Sequence, residues 1–118
     1  MAVTLVDLDA REPVVEIRMN AMPVRIGRHD DVEVCFRDRW ISRFHCEIDQ
    51  IDGTLCVRDL GSTHGVLVNG VRVTHARLMP GDRLTVGMTC LRVEYDRDER
   101  RHLGSASQLQ KPRDVCVS

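Results

Sequence analysis

The chain has 118 residues, 42% of them hydrophobic, and a formal net charge of −1. That length suits one domain able to bury about two-thirds of its unfolded surface, and no apolar run approaches the roughly 18–20 residues that a bilayer span needs. The near-neutral charge argues against a nucleic-acid coat, which usually carries a strong basic excess.

Asp7 and Asp9 interrupt the first apolar stretch, so no signal peptide is expected. The expectation is a cytoplasmic monomer with no nucleic-acid or membrane partner. Sixteen of the seventeen basic residues are Arg, Lys111 being the exception. This reflects either coding bias or a use for planar, bidentate phosphate donors. The five cysteines (Cys35, Cys46, Cys56, Cys90, Cys116) form no C-x-x-C pair, so neither a zinc ribbon nor a dithiol redox site is supported. Cys46 and Cys56 read as small hydrophobes within strands, and no metal or cofactor is expected.

In chain order, Val3–Leu8 alternates apolar and polar residues and predicts a strand, with a turn over Ala10–Pro13. Val14–Met19 alternates again, then Asn20–Pro23 turns into Val24–Ile26 and Gly27-Arg28. Val32, Val34 and Phe36 share a period of two. Two further runs, around Cys46–Ile48 and Leu55–Val57, flank Asp52-Gly53 as a hairpin, and Val66–Val68 and Val71–Val73 flank Asn69-Gly70 as another. Pro80-Gly81-Asp82 precedes Leu84–Val86 and Leu91–Val93, which surround Gly87. About ten short strands and no sustained helical period predict an all-β sandwich or barrel. The division expected is a domain over residues 1–96 and a polar, flexible tail over 97–118.

Three inter-strand loops carry groups suited to an oxyanion. They are Gly27-Arg28, Ser42-Arg43-Phe44-His45, and Gly61-Ser62-Thr63-His64-Gly65. In the last, Gly61 and Gly65 free the backbone around the Ser62-Thr63 hydroxyls. Each residue also has a plainer reading. Arg28 has Asp30 and Asp31 nearby in sequence, Ser42 and Thr63 can bond their own turns, and His29, His75 and His102 read as surface residues. Trp40, in a polar loop beside Arg39, is either a packed anchor or a contact surface.

Gly27-Arg28, Ser42-x-x-His45, and Asp59-Leu-Gly-Ser-Thr-x-Gly65 followed by Asn69-Gly70 together resemble the forkhead-associated (FHA) domain family. The likeness runs from about Val3 to Tyr95 and includes Leu78-x-Pro-Gly-Asp82-x-Leu84. It implies an eleven-stranded β-sandwich of two antiparallel or mixed sheets that binds phosphothreonine peptides at one end. Carried over, Arg28 is the main phosphate clamp, Ser42 and Arg43 add donors, and Thr63 helps form the phosphate and methyl pocket, with Val66 a second candidate for the methyl. His64 stands where the family most often has an Asn that holds the peptide main chain. An imidazole cannot copy that amide's paired donor and acceptor. Trp40 and Arg39 lie where the family selects peptide residues beyond the phosphate. Gly27, His45, Gly65, Asn69 and Gly70 are implied to support the site.

The resemblance implies a phosphothreonine-dependent adaptor for a phosphorylated protein or a Ser/Thr kinase. The alternative is a phosphate-independent docking module of the same fold in a larger assembly, such as a secretion system. A hydrolase is the third reading, since Ser42, His45, Asp59 and Cys46 are all present. No G-x-S-x-G elbow accompanies them, and Cys46 is expected to face the core, so no catalytic residue is assigned.

Overall fold

The computed structural model describes residues 2–9 and 12–96. The expected 97–118 tail lies outside the described residues, as do Ala10 and Arg11 of the first expected turn. Eleven strands follow in order: β1 (Ala2–Asp7), β2 (Glu12–Arg18), β3 (Val24–Gly27), β4 (Val34–Cys35), β5 (Cys46–Ile51), β6 (Thr54–Asp59), β7 (Val66–Val68), β8 (Val71–Val73), β9 (His75–Leu78), β10 (Arg83–Val86) and β11 (Thr89–Tyr95). The one helical element among the described residues is a 3-10 turn at Met19–Ala21.

The strands form a six-stranded sheet, β2-β1-β11-β10-β7-β8, and a five-stranded sheet, β4-β3-β5-β6-β9. All described pairs are antiparallel except β3–β4, which run parallel with Ile26 opposite Val34. Period-two alternation puts one face of each sheet inward. Val3, Leu5, Leu84, Val86, Leu91 and Val93 from the larger sheet meet Val24, Ile26, Cys46, Ile48, Leu55, Val57 and Leu78 from the smaller, all buried. Tyr95 ties the layers: its hydroxyl donates to the Leu78 carbonyl (2.5 Å) and accepts from the Leu55 amide (3.3 Å).

The expected fold class therefore holds, with three local differences. β9 was not anticipated, because only Ala76 and Leu78 carry its inward alternation. The Val32–Phe36 stretch pairs only at Val34–Cys35, because the Val32 amide turns back to the His29 carbonyl (3.3 Å). Val66 is fully buried, so it faces the core and cannot line a ligand pocket for a methyl group. Both expected hairpin turns form; Asn69 and Gly70 adopt φ of 51° and 83°, as a two-residue primed turn requires.

Candidate functional site

The three loops meet through their backbones. Gly27 ends β3 against the segment before β5. There the Arg28 amide donates to the Ser42 and Arg43 carbonyls (both 3.1 Å), and the His29 amide donates to Arg43 (3.2 Å). The approach is close enough that a Cβ on Gly27 would collide with the Arg43 carbonyl oxygen and lie 2.8 Å from its carbon. Glycine is required here for space, not for dihedral freedom.

The Arg28 side chain then crosses the same segment, with Nε donating to the Ile41 carbonyl (3.0 Å). That bond fixes one edge of the guanidinium. Its Nη groups have no partner among the described residues, and neither Asp30 nor Asp31 pairs with it. Arg43 is exposed, and its side chain is likewise without a partner among the described residues.

Ser42 links the second loop to the third, its Oγ accepting from the Thr63 amide (3.1 Å). The third loop is self-braced. The Asp59 carboxylate accepts from the Ser62 amide (2.9 Å), and the Ser62 Oγ accepts from the Gly65 amide (2.9 Å). Thr63 and His64 stand exposed on that frame. Gly65 turns the chain into β7 at φ +81°, a conformation costly for residues with a Cβ.

His45 binds all of this together from beneath and is fully buried. Its Nδ1 accepts from the Ser42 amide (3.0 Å) and its Nε2 lies 2.7 Å from the Gly65 carbonyl. The acceptor at Nδ1 makes Nε2 the protonated nitrogen. Its backbone joins the Ile26 carbonyl and the Leu60 amide (both 2.9 Å). The imidazole thus joins the Ser42 and Thr63 segments, while the His45 backbone ties them to β3. Asn69 acts farther off: its side chain accepts from the Arg83 amide (2.9 Å) and donates to Asp82 (3.1 Å), which clips the β7–β8 hairpin to β10.

Trp40 is 44% exposed, and its indole meets His64 edge-on at 5.1 Å, with the Arg39 guanidinium 5.4 Å from the ring. Asp38 holds this loop, a role that no sequence pattern announced. Its carboxylate accepts from the Trp40 amide (2.8 Å), the Met88 amide (2.8 Å) and the Thr89 hydroxyl (2.9 Å). Partial burial raises its pKa. The bonds from Trp40, Thr89 and Met88 together outweigh that and hold the carboxyl below its ordinary value. On the opposite flank Phe44 stacks on His29 (4.9 Å) and lies under Arg25 (5.5 Å).

A further cation borders the third loop. Arg72 of β8 lies across from Leu67 of β7, and its head reaches Gly65: a Cβ there would sit 2.6 Å from Nε and 2.8 Å from Cζ. The sequence marks Arg72 only as the polar member of an alternating strand.

Neither His45 nor Cys46 is placed for proton transfer or nucleophilic attack. Both His45 nitrogens serve backbone groups. Burial, then the Asp59 carboxylate, push the Cys46 thiol up to about 12, leaving it uncharged near neutrality. Among the described residues no cluster of three metal-ligating side chains occurs and no helix is long and apolar enough to cross a membrane.

Comparison with known proteins agrees with the geometry. The ABC transporter ATP-binding/permease protein Rv1747 of Mycobacterium tuberculosis is 39% identical over 64 residues, 54% of this chain and 7% of that protein. FHA domain-containing protein FhaB of the same species is 33% identical over 76 residues, 64% of this chain. The aligned stretch spans 49% of FhaB, so the chain covers no more than about half of either curated relative. Among solved structures, one from a study of phosphothreonine-dependent FHA domain interactions superposes with a TM-score of 0.73. It is 29% identical and covers 81% of this chain and 98% of that one. The FhaA FHA domain complexed with the intracellular domain of Rv3910 gives a TM-score of 0.69 at 29% identity, covering 78% and 99%. The FHA domain model matches residues 24–87, more than half of the chain, and the chain belongs to the FHA domain family.

Proposed function

We propose that this chain is a phosphothreonine-binding module, with residues 1–96 as the folded unit, acting as a cytoplasmic, monomeric adaptor for a protein phosphorylated by a Ser/Thr kinase. The observation that carries the reading is the junction of Arg28, Ser42 and Thr63. The Arg28 amide bonds the Ser42 carbonyl at 3.1 Å, and the Ser42 Oγ bonds the Thr63 amide at 3.1 Å. The phosphothreonine-dependent interactions of a 29%-identical FHA domain support it.

The chemistry suits the ligand. A phosphothreonine brings about −1.5 to −2 charges and three strong acceptor oxygens. The Arg28 Nη groups and the Ser42 hydroxyl are the first donors to meet it, with Arg43 a further cation at the edge. Charge-assisted bonds contribute roughly 1.5–3 kcal/mol each. Two or three of them, offset by association entropy, give an affinity around the micromolar level. The loops are cross-braced by the protein's own bonds, so little ordering cost remains at binding. His64 and Trp40 form the surface over which the peptide chain leaves the phosphate.

Calorimetric titration with matched peptides carrying phosphothreonine, phosphoserine or unmodified threonine tests the reading. The phosphothreonine peptide binds best, and Arg28→Ala weakens it by about 10- to 150-fold, one charge-assisted bond's worth. Equal binding of all three peptides, unaffected by Arg28→Ala, would instead establish a phosphate-independent docking module.

A further inference from the structure

We propose that Arg72 is a second anion-recognition residue of this rim, selecting peptides that carry a carboxylate or a second phosphate close to the phosphothreonine. The proposal rests on the phosphothreonine reading and deepens it by naming the ligand's charge pattern.

Arg72 belongs to β8, a three-residue strand at the edge of the six-stranded sheet, with no described strand on its far side. Arg72 is exposed, and its head lies against the Gly65 backbone. Nε, Cζ and Nη2 lie 2.6, 2.8 and 3.0 Å from where a Cβ on Gly65 would stand. Gly65 needs its positive φ in any case, and the missing Cβ is what admits the guanidinium.

No described residue answers this charge. The ion pairs among the described residues are Arg25–Glu33, His29–Asp31, Arg58–Glu47 and Arg92–Glu94, and Arg72 enters none. It has no hydrogen-bond partner among the described residues either. Asp59, the acidic residue at the start of the same loop, already accepts from the Ser62 amide. A guanidinium offers five N–H donors in a rigid fork that matches carboxylate or phosphate oxygens.

Its distance from the phosphate groups fits a neighbouring residue of the same ligand. Gly65 is two residues beyond Thr63, at most about 7 Å along the chain. An extended peptide advances about 3.4 Å per residue. An acidic side chain one to about three positions from the phosphothreonine therefore reaches Arg72. Arg72 approaches the Thr63 loop at its Gly65 end, so the preference falls on one flank of the peptide.

The test uses an alanine-flanked phosphothreonine peptide and variants in which one Asp is moved through the positions on either side, titrated into the wild-type chain and into Arg72→Gln and Arg72→Lys. Asp at one or two adjacent positions on a single flank tightens wild-type binding about two- to fivefold, the range of an exposed ion pair. The gain shrinks as salt rises, vanishes in Arg72→Gln and survives in part in Arg72→Lys. Phosphoserine replacing that Asp separates the sources. A larger gain assigns the subsite to a second phosphate, and an equal or smaller one assigns it to a carboxylate. A flat Asp scan, or a gain unchanged in Arg72→Gln, overturns the proposal while the Arg28→Ala loss still stands. Failure of every phosphothreonine peptide to bind overturns both readings together.

Discussion

Replacing His45 by Ala removes a buried side chain that bonds both the Ser42 and the Gly65 segments of the rim. Two backbone groups lose their partners: the Ser42 N–H, now bonded to Nδ1 at 3.0 Å, and the Gly65 carbonyl, 2.7 Å from Nε2. Each unsatisfied buried group costs about 1–3 kcal/mol, and the space left by the ring adds lost contacts. The two groups together cost about 2–6 kcal/mol before those contacts are added, against a total of about 5–14 kcal/mol for a domain of roughly 95 residues. His45→Asn separates the two bonds, because an amide oxygen at the Nδ1 position still accepts from Ser42 while nothing reaches Gly65. Its cost is about half that of Ala.

Urea unfolding of the two variants measures the difference, and hydrogen exchange at the Ser42 amide locates it. Protection at Ser42 falls in His45→Ala and is largely kept in His45→Asn. Phosphopeptide affinity falls in both, because the Ser42 and Thr63 segments lose a shared support. A cost below about 1 kcal/mol for His45→Ala, or equal costs and equal Ser42 exchange in the two variants, would refute the bracing role.

Three further outcomes follow from contacts elsewhere in the rim. Gly27→Ala forces the Arg43 carbonyl away from β3, destabilises the domain by about 1–3 kcal/mol or more and weakens phosphopeptide binding; unchanged thermal unfolding would contradict the close approach. Asp38 has a pKa depressed in the fold, so its contribution is complete above the unfolded value of about 3.9 and is lost as pH falls through the lower folded one. In a His64→Gln background, which removes the imidazole beside the indole, the emission of Trp40, the single tryptophan, stays constant down to about pH 4 and shifts below it, and Asp38→Asn removes that step. Cys46, with its thiol raised to about 12, resists iodoacetamide until urea unfolds the chain, whereas exposed Cys35 reacts first; peptide mass spectrometry after labelling gives the order.

The sandwich was legible because alternation is a local property. β1, β5, β6 and β11 each repeat an inward apolar residue at every second position, and the Asp-Gly and Asn-Gly turns separate neighbours. β9 escaped because two inward residues make no period, and the parallel β3–β4 pairing escaped because alternation carries no strand direction. Val66 is read from the sequence as the start of a strand, but a three-residue run does not say which face it takes, and it begins the inward face of β7 rather than lining a methyl pocket. In the rim, Gly27, Arg28, Ser42, His45 and Thr63 were visible as a spaced set of motifs. Asp38 and Arg72 were not. Asp38 acts on Met88 and Thr89, 50 and 51 residues away, and Arg72 matters only because the β7–β8 register lays it beside Gly65. Contacts made across a sheet leave no periodic trace in the chain.

The rim's residues divide by what they bond. His45, Asp59, Ser62 and Asp38 spend their polar atoms on groups of the protein itself, backbone throughout except for the Thr89 hydroxyl at Asp38, whereas Arg43 and Arg72 leave theirs without a partner among the described residues. Arg28 does both, with Nε on Ile41 and its Nη groups open. Such a division makes the ligand's geometry a product of folding: loop–loop bonds are formed before any anion arrives, and the exposed donors then lose little freedom in meeting it. It also separates two phenotypes. Substitutions among the bracing residues lower stability and affinity together, while Arg43 and Arg72 change affinity with the unfolding midpoint fixed. Ser42 lies on the boundary, since its Oγ both braces the Thr63 amide and faces the proposed phosphate. Ser42→Ala therefore costs affinity in excess of its stability loss, and a strict proportion between the two would mean that this hydroxyl serves only the frame.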